Sequence, residues 1–187
     1  MIRVVWGGLS GLVLLGSVGT ASAADWTVDQ ARSTLGFTAM QAGQPFRGRF
    51  KTWTAAISYD PAKPEAAHVL VTIDVASVTT DDPQKDTAMP EADWFAASQY
   101  AKATFEANGF AGKGSDAFET QGTLTLRGVS KPIVLPFGLT VTGNQAHMTG
   151  SAKLLRTDFG VGQGQWTSGD MVGLDVSVDI DLNATSH

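Results

Sequence analysis

The stretch VGLDVSVDIDLN, residues 172–183, decides how the rest of the chain is read. Val172, Leu174, Val176, Val178, Ile180 and Leu182 alternate with Gly173, Asp175, Ser177, Asp179, Asp181 and Asn183. Successive side chains of a strand point to opposite faces, so this alternation marks a strand with one buried face and one wet face. A helical period would scatter the same six apolar residues around a whole circumference. All six even-numbered residues are therefore expected to face one interior.

Working outward, the same pattern recurs. Gly143-Asn144 is a turn before Ala146, Met148, Gly150, Ala152 and Leu154, and Ile133, Leu135, Phe137, Leu139 and Val141 form the strand before that turn. Arg127-Gly128-Val129-Ser130 is a tight turn. Before it, Phe118, Gly122, Leu124 and Leu126 oppose Glu119, Gln121, Thr123, Thr125 and Arg127, which puts Arg127 outside. Gly109 to Asp116 is a loose hairpin loop, and Ala103, Phe105 and Ala107 share a face ahead of it. Val69, Val71, Ile73 and Val75 follow the loop at Asp60–Pro64; Leu35, Phe37 and Ala39, and Trp26 with Val28, mark the first strands. Between them, Phe46 and Phe50 oppose Arg47, Arg49 and Lys51, but by Trp53, Ile57 and Tyr59 the apolar phase has slipped by one. A one-residue slip flips every later side chain, so a bulge or bend is expected near Lys51–Thr54. The count is about eight or nine antiparallel strands. The chain is all-β, an up-and-down barrel or a sandwich.

One segment breaks the alternation. In DDPQKDTAMPEADWFAASQYAKATF, residues 81–105, Asp82-Pro83 is a helix start: a carboxylate to accept free amide protons, then a proline in the first turn. Pro90 ends that helix after Met89, and Asp93 is placed to cap a second turn carrying Trp94 and Phe95. A short helical insert of this kind closes a barrel end or covers a sheet edge.

The N-terminus is an address. Arg3 is followed by no charge until Asp25, Val4–Val18 is mostly apolar, and Ala21-Ser22-Ala23 is a small-residue cleavage site. Residues 1–23 are expected to be a secretory signal peptide, leaving one domain at 24–187 in a periplasm. A transmembrane anchor is the alternative, opposed by five glycines at positions 7, 8, 11, 16 and 19. The remaining 164 residues carry twelve basic and eighteen acidic side chains, a net charge of −6, which argues against a nucleic-acid partner. There is no cysteine, so no disulfide and no thiol chemistry.

Catalytic and metal signals are missing. His68, His147 and His187 lie far apart, with no metal-ligand spacing, and no nucleophile elbow is present. The glycine-rich run Gly160–Trp166 lacks the strand–helix frame of a dinucleotide site and is read as a loop at a barrel mouth. Two sets of residues have a binding role open to them. Arg47 and Arg49 could receive a head group, or be a solvated outer face. Phe37, Phe46, Phe50, Trp94, Phe95 and Phe105 could contact an apolar ligand or be ordinary core. Small inward residues (Ala39, Gly48, Ala103, Ala107, Gly122, Ala146, Gly150 and Ala152) leave either a cavity or space that larger neighbours fill.

At this point the chain resembles the YceI-like family of periplasmic polyisoprenoid-binding proteins. The resemblance rests on Leu35-Gly36-Phe37, Arg47-Gly48-Arg49-Phe50, Tyr59-Asp60-Pro61, Ala92-Asp93-Trp94-Phe95, the run Tyr100 to Phe105, the run Gly122 to Pro132 and Asp158 to Gly162, in that order. It implies an extended lipocalin-like antiparallel β-barrel of about eight strands around a hydrophobic tunnel. The tunnel holds a linear amphiphile such as an isoprenoid quinone or polyprenyl phosphate, with no catalytic residue and no other cofactor. Histidines that many members carry are replaced here by Gln41 and by Thr87-Ala88-Met89, so head-group contacts do not carry over. The Asp93-Trp94-Phe95 and Gly162–Trp166 versions resemble a subgroup associated with b-type membrane cytochromes, which makes such a cytochrome a candidate partner; a homodimer is compatible with the sequence.

The expected tunnel wall is Phe37, Phe46, Phe50, Val71, Ile73, Ala103, Phe105, Leu124 and Leu126, with Met89, Trp94 and Phe95 over one end and Arg47 and Arg49 as head-group candidates. Two other functions compete with the carrier. One is an enzyme acting on an isoprenoid lipid through Asp158, Arg47 or Arg49. The other is a filled-core barrel docking a membrane partner through the insert.

Overall fold

The computed structural model describes residues 23–187. Residues 1–22, which hold nearly all of the expected signal peptide, lie outside the described residues. The strands are β1 (Ala24–Val28), β2 (Thr34–Gln41), β3 (Gln44–Phe50), β4 (Trp53–Tyr59), β5 (His68–Asp74), β6 (Val78–Thr79), β7 (Lys102–Asn108), β8 (Ala111–Gly112), β9 (Ala117–Leu126), β10 (Val129–Thr142), β11 (Gln145–Leu155) and β12 (Val172–Ser186). Among the described residues one short α-helix, α1 (Pro83–Ala88), interrupts them.

The ladders are antiparallel, and the path β1–β4–β5–β7–β9–β10–β11–β12 returns to β1, so eight staves close a barrel. Closure pairs both edges of the eight-stave ring, while the extension through β2 and β3 ends at β6. The remaining long strands extend staves at one end. β12 spans both levels: Ala184–Ser186 pair with β1, and Val172–Asp181 pair with β2. β3 pairs with β2 and β6, whereas β4 pairs with β1 and β5. The expected bend is thus a break at Lys51 and Thr52, where the chain changes partners and its phase by one residue. Phe50 and Trp53 both face the first core cluster as a result.

Tight turns need the left-handed backbone. Ala42 (φ 48°) with Gly43 (φ 76°) joins β2 to β3, and Arg127 (φ 51°) with Gly128 (φ 73°) joins β9 to β10. Two consecutive positive φ values match the right-handed twist of the flanking strands.

Two expectations about strands are corrected. In β12 the register runs from Val172↔Gln41 to Val176↔Ala39, four residues against two, so the chain bulges between them. Leu174 leaves the interior wall and packs against Gly169, where a Cβ would lie 2.8 Å from its Cγ. The loop at Gly109–Asp116 is also more ordered than its composition implies. It contains β8, paired with β9, and buries Phe110.

The interior holds two clusters. One gathers Leu35, Phe37, Trp53, Ile73, Phe95 and Phe159; the other gathers Trp26, Tyr59, Phe110, Leu135, Phe137 and Leu139. The insert lies at the first. Asp82 caps α1 by accepting from the Gln84 and Lys85 N–H groups at 3.0 and 3.3 Å, with Pro83 in the first turn. Beyond β6 the sheet path ends, and α1 docks there: the Asp86 carboxylate accepts from the Thr79 and Thr80 hydroxyls at 2.6 and 2.8 Å. The second helical turn expected at Asp93 does not form. Residues 89–99 are a chain of turns, and Asp93 serves through its carbonyl, which accepts from the Gly162 and Gln163 N–H groups at 2.8 and 2.7 Å.

Candidate functional site

A cavity of about 170 Å³ fills the barrel at the insert's end. Strand parity accounts for its wall. β2 and β3 turn Phe37, Phe46 and Phe50 inward, β5 turns Val71 and Ile73, β7 turns Ala103 and Phe105, and β9 turns Leu124 and Leu126; all line the cavity. Met89, Trp94 and Phe95 of the insert complete it. The structure thus brings the twelve expected residues to one space. It adds others that sequence reasoning passed over, among them Ile133, Leu154, Phe159 and Val161. A second apolar cavity of about 90 Å³ lies among Trp26, Tyr59, Phe110 and Phe137.

Not every small residue makes room. Phe37's ring covers Gly48, and Phe105's ring covers Gly122: a Cβ at these glycines would come within 2.2 and 2.4 Å of ring atoms. Here large neighbours do fill the space. Ala39, Ala103 and Ala152, by contrast, face the cavity itself.

Every side chain on the cavity wall is apolar except Arg156. It begins the 3-10 turn Arg156–Phe159 after β11 and is 5% exposed. Its Nε donates to the Gly173 carbonyl at 2.9 Å. Nη1 donates to the Val161 and Gly162 carbonyls at 2.8 and 3.4 Å, and Nη2 to that of Val172 at 2.8 Å and to that of Trp166. The Val172 and Gly173 carbonyls belong to the bulge where β12 leaves β2, so the guanidinium replaces ladder bonds there. Burial lowers the Arg156 pKa from its usual value, yet an arginine keeps its charge. Its Cζ stands 5.6 Å from the Trp94 ring centroid, within cation–π range. No alternation or motif signalled this residue, because its partners are carbonyls scattered over 161–173.

A second arginine joins the mouth's two sides. Arg127 was expected on the outer face, but its Nη1 donates to the Trp94 carbonyl at 2.8 Å and to the Gly160 carbonyl at 2.9 Å. The insert and the 160–166 loop are thereby stapled together, and Trp94 meets Trp166 with ring centroids 5.4 Å apart. The glycine-rich run is a tied loop at the mouth.

The mouth mixes polar and apolar side chains. A hollow of about 190 Å³ shares Phe46, Met89, Trp94 and Val172 with the cavity and adds Gln41, Asp82, Gln84, Lys85 and Trp166. Lys85 Nζ is ion-paired with Asp82 and sits 5.6 Å from the Phe46 ring centroid. The Lys85 ammonium, its backbone N–H and that of Gln84 hold the Asp82 carboxyl below the usual carboxylate range.

Arg47 and Arg49, the expected head-group residues, stand elsewhere. They line an outer groove with Asp179 and Asp181, and Arg49 is paired with Asp81 at 3.1 Å. Phe46, Gly48 and Phe50 take the inward positions of β3, so neither arginine reaches the cavity wall or its mouth. Asp158 is exposed and off the cavity wall. His68 and His147 pair with Asn108 and Asp181 on exposed surface.

A closed antiparallel barrel of eight staves with an apolar interior belongs to the lipocalin-like class, whose interior is wide enough for side chains or one ligand. The chain is a member of the YceI-like domain family, which matches residues 26–184. A UPF0312 protein of Azotobacter vinelandii is 32% identical over 182 aligned positions, covering 90% of this chain and 92% of that protein. BcnA of Burkholderia cenocepacia superposes with a TM-score of 0.82 at 31% identity, over 84% of this chain and 99% of BcnA. A polyisoprenoid-binding domain of Saccharophagus degradans, implicated in plant cell wall breakdown, has the same fold. It gives a TM-score of 0.71 at 19% identity, over 88% of this chain and 99% of that one.

Proposed function

We propose that the protein is a periplasmic carrier that holds a linear amphiphilic lipid, an isoprenoid quinone or polyprenyl phosphate, for transport, storage or sequestration. One observation carries this reading: a cavity with an apolar wall, broken only by Arg156, shares Phe46, Met89, Trp94 and Val172 with a neighbouring hollow to which Gln41, Gln84, Lys85 and Asp82 bring polar groups. The apolar part of an amphiphile matches the first and its polar head the second. Each methylene withdrawn from water contributes about 0.8 kcal/mol, so a prenyl tail needs such a shield to cross an aqueous compartment. The name of the Saccharophagus domain, polyisoprenoid-binding, supports the same cargo. The signal-peptide pattern of residues 1–23 supports the compartment.

The reading needs no chemical step. The candidates for an enzyme, Asp158, Arg47 and Arg49, lie off the wall and the mouth, so they do not converge on a lipid held there. A membrane donor or acceptor of the lipid is part of the proposal, a b-type cytochrome where the cargo is a quinone; a dimer is not required.

The test is native mass spectrometry of protein exported by a Gram-negative host, followed by organic extraction. The expected result is a mature chain beginning near Ala24 that releases an amphiphile of defined mass. A protein that releases none, and binds none when isoprenoids are added back, would refute the carrier.

A further inference from the structure

Two guanidinium groups flank Trp94 at the mouth, and among the described residues neither has a carboxylate partner. All the bonds of Arg156 go to carbonyls: those of Gly173, Val161, Gly162, Val172 and Trp166. Arg127 likewise donates to the carbonyls of Trp94 and Gly160. The carboxylates that do pair with arginine or lysine choose others: Asp29 with Arg32, Asp81 with Arg49, Asp82 with Lys85, Asp74 with Lys102 and Glu119 with Lys113. A carbonyl has a dipole but no net charge, so five of them soften the field of a guanidinium without cancelling it. Glu91, Asp93, Asp158 and Asp170, on the neighbouring turns, are exposed, where water and salt screen them more than the buried Arg156.

The charge of Arg156 stands where a bound amphiphile changes character. Arg156 is on the wall of the apolar cavity, and Val172 and Trp166, whose carbonyls it holds, line the neighbouring hollow. Trp94, over whose ring it sits, lines both. The charges of the hollow itself offset each other, since Lys85 is paired with Asp82. The junction of cavity and hollow is therefore net positive, beside a wall of low dielectric that strengthens its field.

We propose that Arg156, assisted by Arg127, selects an amphiphile with an anionic head, which makes a polyprenyl phosphate rather than a quinone the cargo. An arginine has five N–H donors, and those of Arg156 are engaged by carbonyls, so it acts on the head through its charge and not through a hydrogen bond. This rests on the carrier reading and on a head placed at the hollow. For a univalent head about 8 Å from a guanidinium, at an effective dielectric constant of about 20–40, one charge changes affinity by about five- to thirtyfold. An anion gains that factor and a cation loses it.

The experiment uses the mature protein, stripped of lipid, with geranyl phosphate, geraniol and geranylamine as probes. They carry one prenyl chain under three heads, and their affinities are measured by competition near neutral pH at low salt. The native protein should bind the phosphate at least about tenfold more tightly than the amine. In Arg156→Met that ratio should fall by about fivefold or more, whereas damage to the packing of the mouth would weaken all three probes alike. Arg156→Lys keeps the charge but not the fork of carbonyl bonds, and should hold the ratio within about twofold of the native one. Arg47→Met removes the same charge from the outer groove and should leave the ratio unchanged. Arg127→Met should lower the ratio in the same direction, and serves if Arg156→Met does not fold; thermal unfolding checks each variant. A native protein that binds the amine as tightly as the phosphate overturns the proposal. So does a native ratio in the folded Arg156 and Arg127 variants, or a fall in Arg47→Met as large as theirs. Geraniol separates this from the carrier reading: geraniol that binds while the charged heads are not distinguished overturns the selection and leaves the carrier standing. If none of the three probes binds, the carrier reading falls and the selection with it.

Discussion

Replacing Arg156 with Met tests how the mouth is built. The substitution keeps an apolar stem of similar length and removes a guanidinium that donates to five carbonyls. The bonds to Val161 and Val172, both 2.8 Å, are buried, and the bond to Gly162 is long at 3.4 Å. Leaving a buried carbonyl without a donor costs about 1–3 kcal/mol, so the two strong bonds set a loss of about 2–6 kcal/mol. Removing a buried cation returns part of its desolvation penalty. The net expectation is a loss of about 2–4 kcal/mol, against a total stability of about 5–15 kcal/mol for a domain of ordinary stability. The barrel stays folded, but the 160–173 loop loses its anchor. Urea unfolding measures the first effect. Amide exchange at Gly162 and Gln163, whose N–H groups donate to Asp93, measures the second. A variant within about 0.5 kcal/mol of the native protein, with unchanged protection at both amides, would refute the argument. Arg156→Lys should recover less than half of the loss, since one ammonium with three donors cannot span carbonyls spread from Val161 to Gly173.

Val176→Asp places an unpaired charge on the interior wall and should cost at least about 3 kcal/mol in chemical denaturation, while Asp175→Asn, on the exposed face, should change stability by under about 0.5 kcal/mol; equal effects would mean the register of β12 is wrong. Ala103, 3% exposed on the cavity wall, is the site for obstruction. Ala103→Phe should cost about 1–3 kcal/mol by over-packing, remain folded by circular dichroism, and co-purify with less lipid; full loading would contradict its place on the binding surface. Asp86 governs the acid response of the insert, because hydrogen bonds from the Thr79 hydroxyl, then from the Thr80 N–H, hold its carboxyl below the usual range. A depressed carboxyl pKa contributes stability that is complete above the unfolded value of about 3.9 and is lost as pH falls through the folded value. Tryptophan fluorescence should report release of the insert on acidification below about pH 4, and Asp86→Ala should already show it at neutral pH. An unaltered acid profile in that variant would show that the carboxylate does not hold the insert.

The strands were legible because alternation is a local property: each side chain's face follows from its neighbours one and two positions away. So the sequence by itself determined that Val176, Val178 and Ile180 share a face, that Phe46 and Phe50 oppose Arg47 and Arg49, that the phase slips near Lys51, and that Asp82-Pro83 starts a helix. What parity leaves undecided is which strands sit side by side, since that depends on partners far along the chain. Closing β12 onto both β1 and β2 made the shared faces into one interior and expelled Leu174 through a bulge. The same closure left the Val172 and Gly173 carbonyls in need of a donor and put Arg156 beneath them. It also decided which glycines hold space and which hold a ring, because Gly122 is occupied by Phe105 from the neighbouring strand. Arg127 makes the point most simply: parity sends its Cβ outward, but its left-handed turn and long stem carry the guanidinium to the carbonyls of Trp94 and Gly160. Only the folded chain brings those two carbonyls within reach of one hand of hydrogen-bond donors.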